Sequence, residues 1–274
     1  MLSQRILVVV LLLPLGIAAI IAGGLWFLAL SLLILSLAAW EYVSLFRSGG
    51  LQPAGHLVLL GVIGLLFARY TAFFDFDLWL LPLFSMLAMA FHLFQFERGR
   101  DQAGTDFAVT LSAFFYVGLL GAFMLSIRML PGGTWWLLLT LIAVWIADSA
   151  AFFLGTRFGR HKLAPRLSPK KSWQGYLSGI VLATLLTPLL LGPFQGLGMP
   201  VNLGIDLGQA ALFGFLLGAL PTLGDLGISM IKRQMAIKDS GTILPGHGGM
   251  LDRMDSWLWA FPISYFVITQ FFLN

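Results

Sequence analysis

An all-α, polytopic membrane fold of about nine transmembrane helices, with a cytoplasmic amino terminus, is predicted for this 274-residue chain by three observations. Composition is the first: 59% of the residues are apolar and 10% are charged, against about 25% charged in a soluble domain. The mean hydropathy of +0.92 belongs to a chain solvated mainly by lipid. The second is run length, because nine separate apolar stretches each approach the roughly 20 residues that cross a bilayer as a helix. The third is where the 16 basic residues fall once those stretches are threaded back and forth.

Residues 6 to 40 carry no charge, and Pro14, Gly23 and Gly24 offer places to break the stretch into a helical hairpin. The stretch is too long for the apolar core of about 7 to 15 residues in a cleaved signal peptide. Further apolar runs follow at 57–73, 77–96, 107–127, 134–156, 176–194, 209–230 and 257–273, each bounded by charges or turn residues. Arg69 interrupts the 57–73 run, which reads equally as a re-entrant or interfacial helix.

With the amino terminus in the cytoplasm, Arg5, Arg47, Arg98, Arg100, Arg157, Arg160, Lys162, Arg166, Lys170, Lys171, Lys232, Arg233, Lys238 and Arg253 all lie inside. Arg69 and Arg128 fall outside, an asymmetry that supports nine crossings and an external carboxyl terminus. The short loops leave no room for a separate soluble domain. Residues 1–135 read as a scaffold of about five spans, and residues 136–274 as a catalytic region with two basic cytoplasmic loops, 156–175 and 231–256. The chain has no cysteine, which excludes disulfides, thiolate metal sites, Cys nucleophiles and iron–sulfur clusters. The net charge of +4 is modest, and no nucleic-acid partner is expected.

Chemistry is sought where charge meets the spans. In the stretch 145–175 Asp148 sits within an apolar run, two turns before six basic residues. An acid inside a span marks a functional site unless it merely pairs with a nearby cation. The basic loop could bind anionic headgroups nonspecifically. Against that, Ser168, Pro169, Lys170, Lys171 and Ser172 compress two ammonium groups and two hydroxyls beside a turn, which suits phosphate oxygens.

The second constellation spans 221–255. Asp225 lies beside Gly224 and Gly227, small residues that let a helix or ligand approach, and Ser229 follows one turn later on the same face. Lys232 and Arg233 then reach the membrane surface. After Lys238 and Asp239, the run Pro245, Gly246, His247, Gly248, Gly249 can offer backbone N–H groups to an anion. Asp252, Arg253 and Asp255 open the next helix, and oxygen ligands without thiolates favour Mg²⁺ over zinc. Each element alone is ordinary, as a turn, a first-turn carboxylate or a loop histidine. Together they describe a site for a Mg²⁺-bound polyphosphate at the bilayer surface.

The run from Ser229 to Asp255 resembles the signature of the phosphatidate cytidylyltransferases, which make CDP-diacylglycerol. That signature is Ser, Lys-Arg, Lys-Asp after four residues, Pro-x-His-Gly-Gly and Asp-Arg-x-Asp. It is met by Ser229, Lys232, Arg233, Lys238, Asp239, Pro245, His247, Gly248, Gly249, Asp252, Arg253 and Asp255. The segments Asp148 to Gly159 and Ser168 to Lys171 are also similar, so the likeness covers roughly 140–262. Gln174 stands where the family pattern often has Glu, and no acid–base or metal role is given to it.

The resemblance implies transfer of a cytidylyl group from CTP to phosphatidic acid, with release of pyrophosphate, in phospholipid biosynthesis. It implies Mg²⁺, with room for a second cation, on Asp225 and Asp252, with Asp148 and Asp255 as second choices. Lys238 and Arg253 join those two acids as the catalytic set, and Ser168, Lys170, Lys171, Ser229, Lys232, Arg233, Asp239, His247, Gly248 and Gly249 are expected to bind the substrates. A bacterial inner-membrane location, an active site facing the cytoplasm, contact with membrane lipids and a homodimer through small-residue faces complete the expectation. The alternatives are another CTP-dependent or polyprenol-directed lipid transferase and an ion-coupled transporter using the buried acids.

Overall fold

A computed structural model describes residues 2–72, 74–200, 203–243 and 248–273 of the chain. It is almost wholly helical. Among the described residues, six helices are long and apolar enough to cross a membrane: 24–48, 77–97, 103–129, 133–158, 173–196 and 207–234. The chain is therefore an all-α, multi-pass membrane protein. The other three expected spans, at the amino terminus, at 57–73 and at 257–273, are also helical but are not among these six. By contact the chain divides into two compact units, 1–126 with 231–254, and 127–230 with 255–274.

The first unit begins with α1 (Leu2–Ala22) and α2 (Gly24–Ser48). The break between them comes at Gly23 and Gly24, whose φ angles of 64° and 50° are left-handed and suit residues without a Cβ. Pro14 stays inside α1, as membrane helices tolerate. Helices α3 (Gly55–Ala72), α4 (Asp77–Glu97) and α5 (Ala103–Ser112) follow, and a π-helical stretch, Ala113–Leu119, leads into α6 (Leu120–Met129). The core gathers around α2, where Phe27, Leu35, Ala38, Ala39 and Val43 are fully buried against α3 and the π-helical stretch.

The second unit is built on α7 (Gly133–Phe158), α8 (Trp173–Leu186) and α10 (Leu207–Ala219), which pack extensively on one another. Glycines on α8 set the spacing: a Cβ at Gly179 would come within 2.7 Å of the Ala147 carbonyl oxygen, and one at Gly175 within 2.9 Å of Gly155 Cα. Such backbone approach is the packing that membrane helices use in place of hydrophobic burial. Short α9 (Leu191–Gly196) precedes α10, whose start is closed by a capping box between Asp206 and Gln209. Helix α11 (Thr222–Gln234) begins in this unit and runs on into the residues assigned to the first. The four-residue helix α12 (Leu251–Met254) follows, and then α13 (Trp257–Val267), which packs on α7 and α10.

The loop expected at 156–175 holds a small antiparallel hairpin, β1 (Lys162–Ala164) and β2 (Ser168–Ser172), with Lys162 opposite Ser172. It is the structured exception to an all-helical reading. Gln174 braces it. Its side-chain carbonyl accepts the N–H groups of Arg160 and His161, both at 3.1 Å, and its amide nitrogen lies 2.8 Å from His161 Nδ1.

Candidate active site

In the second unit the site is assembled by β2, α7 and α11. Ser172 ends β2 in an extended conformation and caps α8, accepting the Gly175 N–H at 3.2 Å. The two lysines expected to act together, just ahead of that cap, differ in their surroundings. Lys170 is exposed, while Lys171 is half-buried and places its ammonium 2.5 Å from Asp225 Oδ2. On α11, Ser229 sits one turn after Asp225 and donates its hydroxyl to Asp225 Oδ1 at 3.3 Å. Asp148 projects from the open face of α7, within electrostatic range of both Lys171 and Asp225. Asp225 thus holds the ammonium group and the hydroxyl, and Asp148 adds a second negative charge within their field, an arrangement that suits a further cation.

The remaining acid of this unit from the signature, Asp255, is half-buried and accepts the Ser256 N–H at 2.8 Å. Gly224 is needed for the packing of α11, since a Cβ there would overlap the Asp255 carbonyl and lie 2.7 Å from the Trp259 ring. Ser168 is half-buried at the start of β2.

In the first unit, the second cluster centres on Asp252. Lys232, in the last turn of α11, brings its ammonium 2.6 Å from Asp252 Oδ1, and both side chains are nearly buried, at 12% and 7% exposure. Asp252 Oδ2 accepts the backbone N–H groups of Ser240 at 2.8 Å and Gly249 at 3.1 Å. Burial works to raise the Asp252 carboxyl pKa. The hydrogen bond and charge of Lys232 and the two backbone N–H groups outweigh that effect and hold the carboxyl below its ordinary value.

The chain leaves α11 through a Schellman-type close. Ile237 N–H bonds to the Lys232 carbonyl at 2.9 Å, Ala236 N–H bonds to the Arg233 carbonyl at 3.2 Å, and Ala236 takes the left-handed φ of 56°. Arg233, Lys238, Asp239 and Arg253 are all exposed. Gly248 has a φ of 83°, which permits the turn that presents the buried Gly249 N–H. His247, an expected substrate-binding residue, lies outside the described residues.

One residue escaped the sequence reading. Glu41, in α2, is 3% exposed, and its Oε2 accepts the Ser240 hydroxyl at 3.0 Å and the Leu251 N–H at 2.8 Å. The signal was present: Glu41 is the first acidic residue of the chain and follows the long uncharged stretch directly. An acid in an apolar helix marks a site on the same grounds as Asp148.

Comparison with known sequences now decides the family. The sequence model of the cytidylyltransferase family matches residues 3–271. The chain belongs to that family. Among related cytidylyltransferases, the phosphatidate cytidylyltransferase of Staphylococcus saprophyticus is 30% identical over 97% of this chain and 98% of its own length. That of Synechocystis is 31% identical over 97% of this chain and 96% of its own. That of Bacillus subtilis is 38% identical over 60% of this chain and 58% of its own. As a cytidylyltransferase family member the protein is a CTP-using nucleotidyltransferase.

Proposed function

We propose that the protein is a phosphatidate cytidylyltransferase of a bacterial inner membrane, making CDP-diacylglycerol from CTP and phosphatidic acid on the cytoplasmic side. The observation that carries this reading is a pair of lysine–aspartate contacts, each with one partner on α11. Asp225 faces Lys171, and Lys232 faces Asp252. Within a CTP-using family, such carboxylates and ammonium groups suit a metal-bound triphosphate.

A phosphate oxygen of phosphatidic acid attacks the α-phosphorus of CTP. A new P–O bond forms as the bond to the β-phosphate bridging oxygen breaks, and pyrophosphate leaves. No covalent enzyme intermediate is needed, so the protein contributes position and charge. Lys171 and Lys232, with exposed Lys170, Arg233, Lys238 and Arg253, neutralise triphosphate and lipid phosphate. The Gly248–Gly249 turn orients N–H groups, and Ser229 orients Asp225.

The donor chemistry fits Mg²⁺. Asp225 and Asp252 each already hold a cationic ammonium within 2.6 Å, and Asp148 adds a second carboxylate near Asp225. These hard oxygen donors are the ones Mg²⁺ takes, usually only one or two from protein, with phosphate and water completing the shell. When bound, Mg²⁺ would offset charge on the triphosphate and the leaving pyrophosphate. The distribution of Lys and Arg supports a cytoplasmic amino terminus.

The experiment is pyrophosphate release by purified protein in micelles of phosphatidic acid with CTP, with and without Mg²⁺, and with diacylglycerol as the control acceptor. Release that needs all three components, with CDP-diacylglycerol identified by mass spectrometry, is expected. Folded protein that binds CTP yet releases no pyrophosphate with phosphatidic acid overturns the choice of acceptor. Release without Mg²⁺ overturns the metal assignment.

A further inference from the structure

Glu41 takes no part in the reaction as proposed, yet it is tied to one of its carboxylates. We infer that Glu41 is a positioning residue for Asp252. Its Oε2 fastens both ends of the 240–251 segment whose backbone N–H groups fix the Asp252 carboxylate. The inference rests on the reading of Asp252 as part of the active site.

Ser240 is shared between the two acids. Its hydroxyl donates to Glu41 Oε2 at 3.0 Å, and its backbone N–H donates to Asp252 Oδ2 at 2.8 Å. The far end of the segment repeats the arrangement: Gly249 N–H donates to Asp252 Oδ2 at 3.1 Å, and Leu251 N–H donates to Glu41 Oε2 at 2.8 Å. Moving Glu41 therefore moves the two donors that Asp252 depends on.

The backbone fits closely round the carboxyl group. A Cβ on Gly241 would crowd Glu41 Oε1, and one on Gly249 would overlap Glu41 Oε2 and the Ser240 hydroxyl. Glycine at these two places is what lets the segment wrap an acid held in α2. The two acids are also treated differently. Asp252 has Lys232 as its cation, whereas among the described residues the donors to Glu41 are the neutral Ser240 hydroxyl and Leu251 N–H, and its Oε1 has no hydrogen-bond partner there. Glu41 is thus an oxygen acceptor that organises backbone, and Asp252 is the charged group displayed by that backbone. A carboxylate set loose by about 1 Å can cost a hundredfold in rate, and partners that orient a ligating group typically carry a 10- to 100-fold effect.

The test uses the full chain in phosphatidic acid micelles with Glu41→Ala, Glu41→Gln and Ser240→Ala, all normalised to folded protein. Glu41→Ala is expected to lower kcat by about 10- to 100-fold. It should raise the Mg²⁺ concentration for half-maximal rate, with a smaller change in KM for CTP. Glu41→Gln keeps an oxygen acceptor for Ser240 and Leu251 and should recover most of the rate, and Ser240→Ala should fall between. A purely structural residue would lower the folded fraction without moving the Mg²⁺ dependence.

Wild-type kcat and Mg²⁺ dependence in folded Glu41→Ala overturn the inference. If that variant does not fold, the same result in Ser240→Ala overturns it. Hydrogen exchange at the Ser240, Gly249 and Leu251 amides separates this from the reading beneath it. Faster exchange in the variants supports positioning whatever the acceptor lipid is, and unchanged exchange overturns it even where the wild-type enzyme turns over.

Discussion

Lys171 and Asp225 meet at 2.5 Å, one from a strand of the small hairpin and the other from the first turn of the amphipathic helix α11. The pair depends on where the hairpin sets Lys171, the half-buried residue just before the buried Ser172. Lys170, its immediate neighbour, is exposed, while Lys171 turns toward the acid.

This asymmetry gives the first prediction. Lys171→Ala should lower kcat/KM with CTP by about 10²- to 10³-fold, the scale for removing one preorganised donor from a developing charge. Lys170→Ala should cost at least tenfold less, and Arg in place of Lys171 should recover only part of the loss because its planar fork does not match a point contact. Steady-state kinetics on the three variants in phosphatidic acid micelles reads this directly. Equal losses in Lys170→Ala and Lys171→Ala would mean that the hairpin register does not select between them during turnover.

The Asp252 carboxyl gives a prediction about acid. Burial opposes its ionisation, but Lys232 and the Ser240 and Gly249 N–H groups hold its pKa below the ordinary value. In the unfolded chain the group titrates near about 3.9. The stability that Asp252 contributes is therefore complete above that value and is lost as the pH falls through the lower, folded value. The difference in unfolding free energy between wild type and Asp252→Asn should be constant from pH 7 to about 5 and shrink below about 4. Denaturation in detergent across this range measures it, and a difference already shrinking between pH 7 and 6 would refute the assignment.

The sequence exposed the helices well and the site unevenly, for physical reasons. Apolar run length marks a span whatever its neighbours do, so the helices at 24–48, 77–97 and 133–158 were legible. Helical spacing made the Asp225–Ser229 pair legible, but the more distant partners of the motif residues were not. That Asp225 meets Lys171, 54 positions earlier, and Asp252 meets Lys232 depends on tertiary packing that no local pattern carries. The hairpin was missed because Lys162–Ala164 and Ser168–Ser172 are short, polar and contain a proline, without the β-branched alternation that announces a strand. Glu41 was hidden by its distance from the motif, since its contacts lie about 200 residues downstream. The run of 35 uncharged residues before it, 6–40, was read as scaffold and drew attention away from the acid at its end.

Arg69 shows the opposite case, an ionic residue in an apolar helix that serves the fold. Arg69 lies inside α3, which is helical on both sides of it, and its side chain is 1% exposed. Its Nη2 lies 2.6 Å and its Nε 3.2 Å from Asp77 Oδ2, and its Nη1 donates to Ser126 Oγ at 2.8 Å. The rings of Phe74 and Phe123 cover it at 4.0 and 4.6 Å, adding cation–π attraction on two sides. Removing one member of a buried pair leaves the other charge without its counter-ion, at a cost of about 3–5 kcal/mol, whereas replacing both by apolar groups can be nearly neutral. Asp77→Ala should therefore destabilise the protein by about 3 kcal/mol and leave KM for CTP unchanged in the fraction that folds. The double variant Arg69→Met with Asp77→Leu should regain most of that stability. Thermal unfolding in detergent of the two singles and the double closes the cycle. A double variant as unstable as the sum of its singles would show that the two charges act independently, and a raised KM for CTP in Asp77→Ala would draw this pair into the reaction after all.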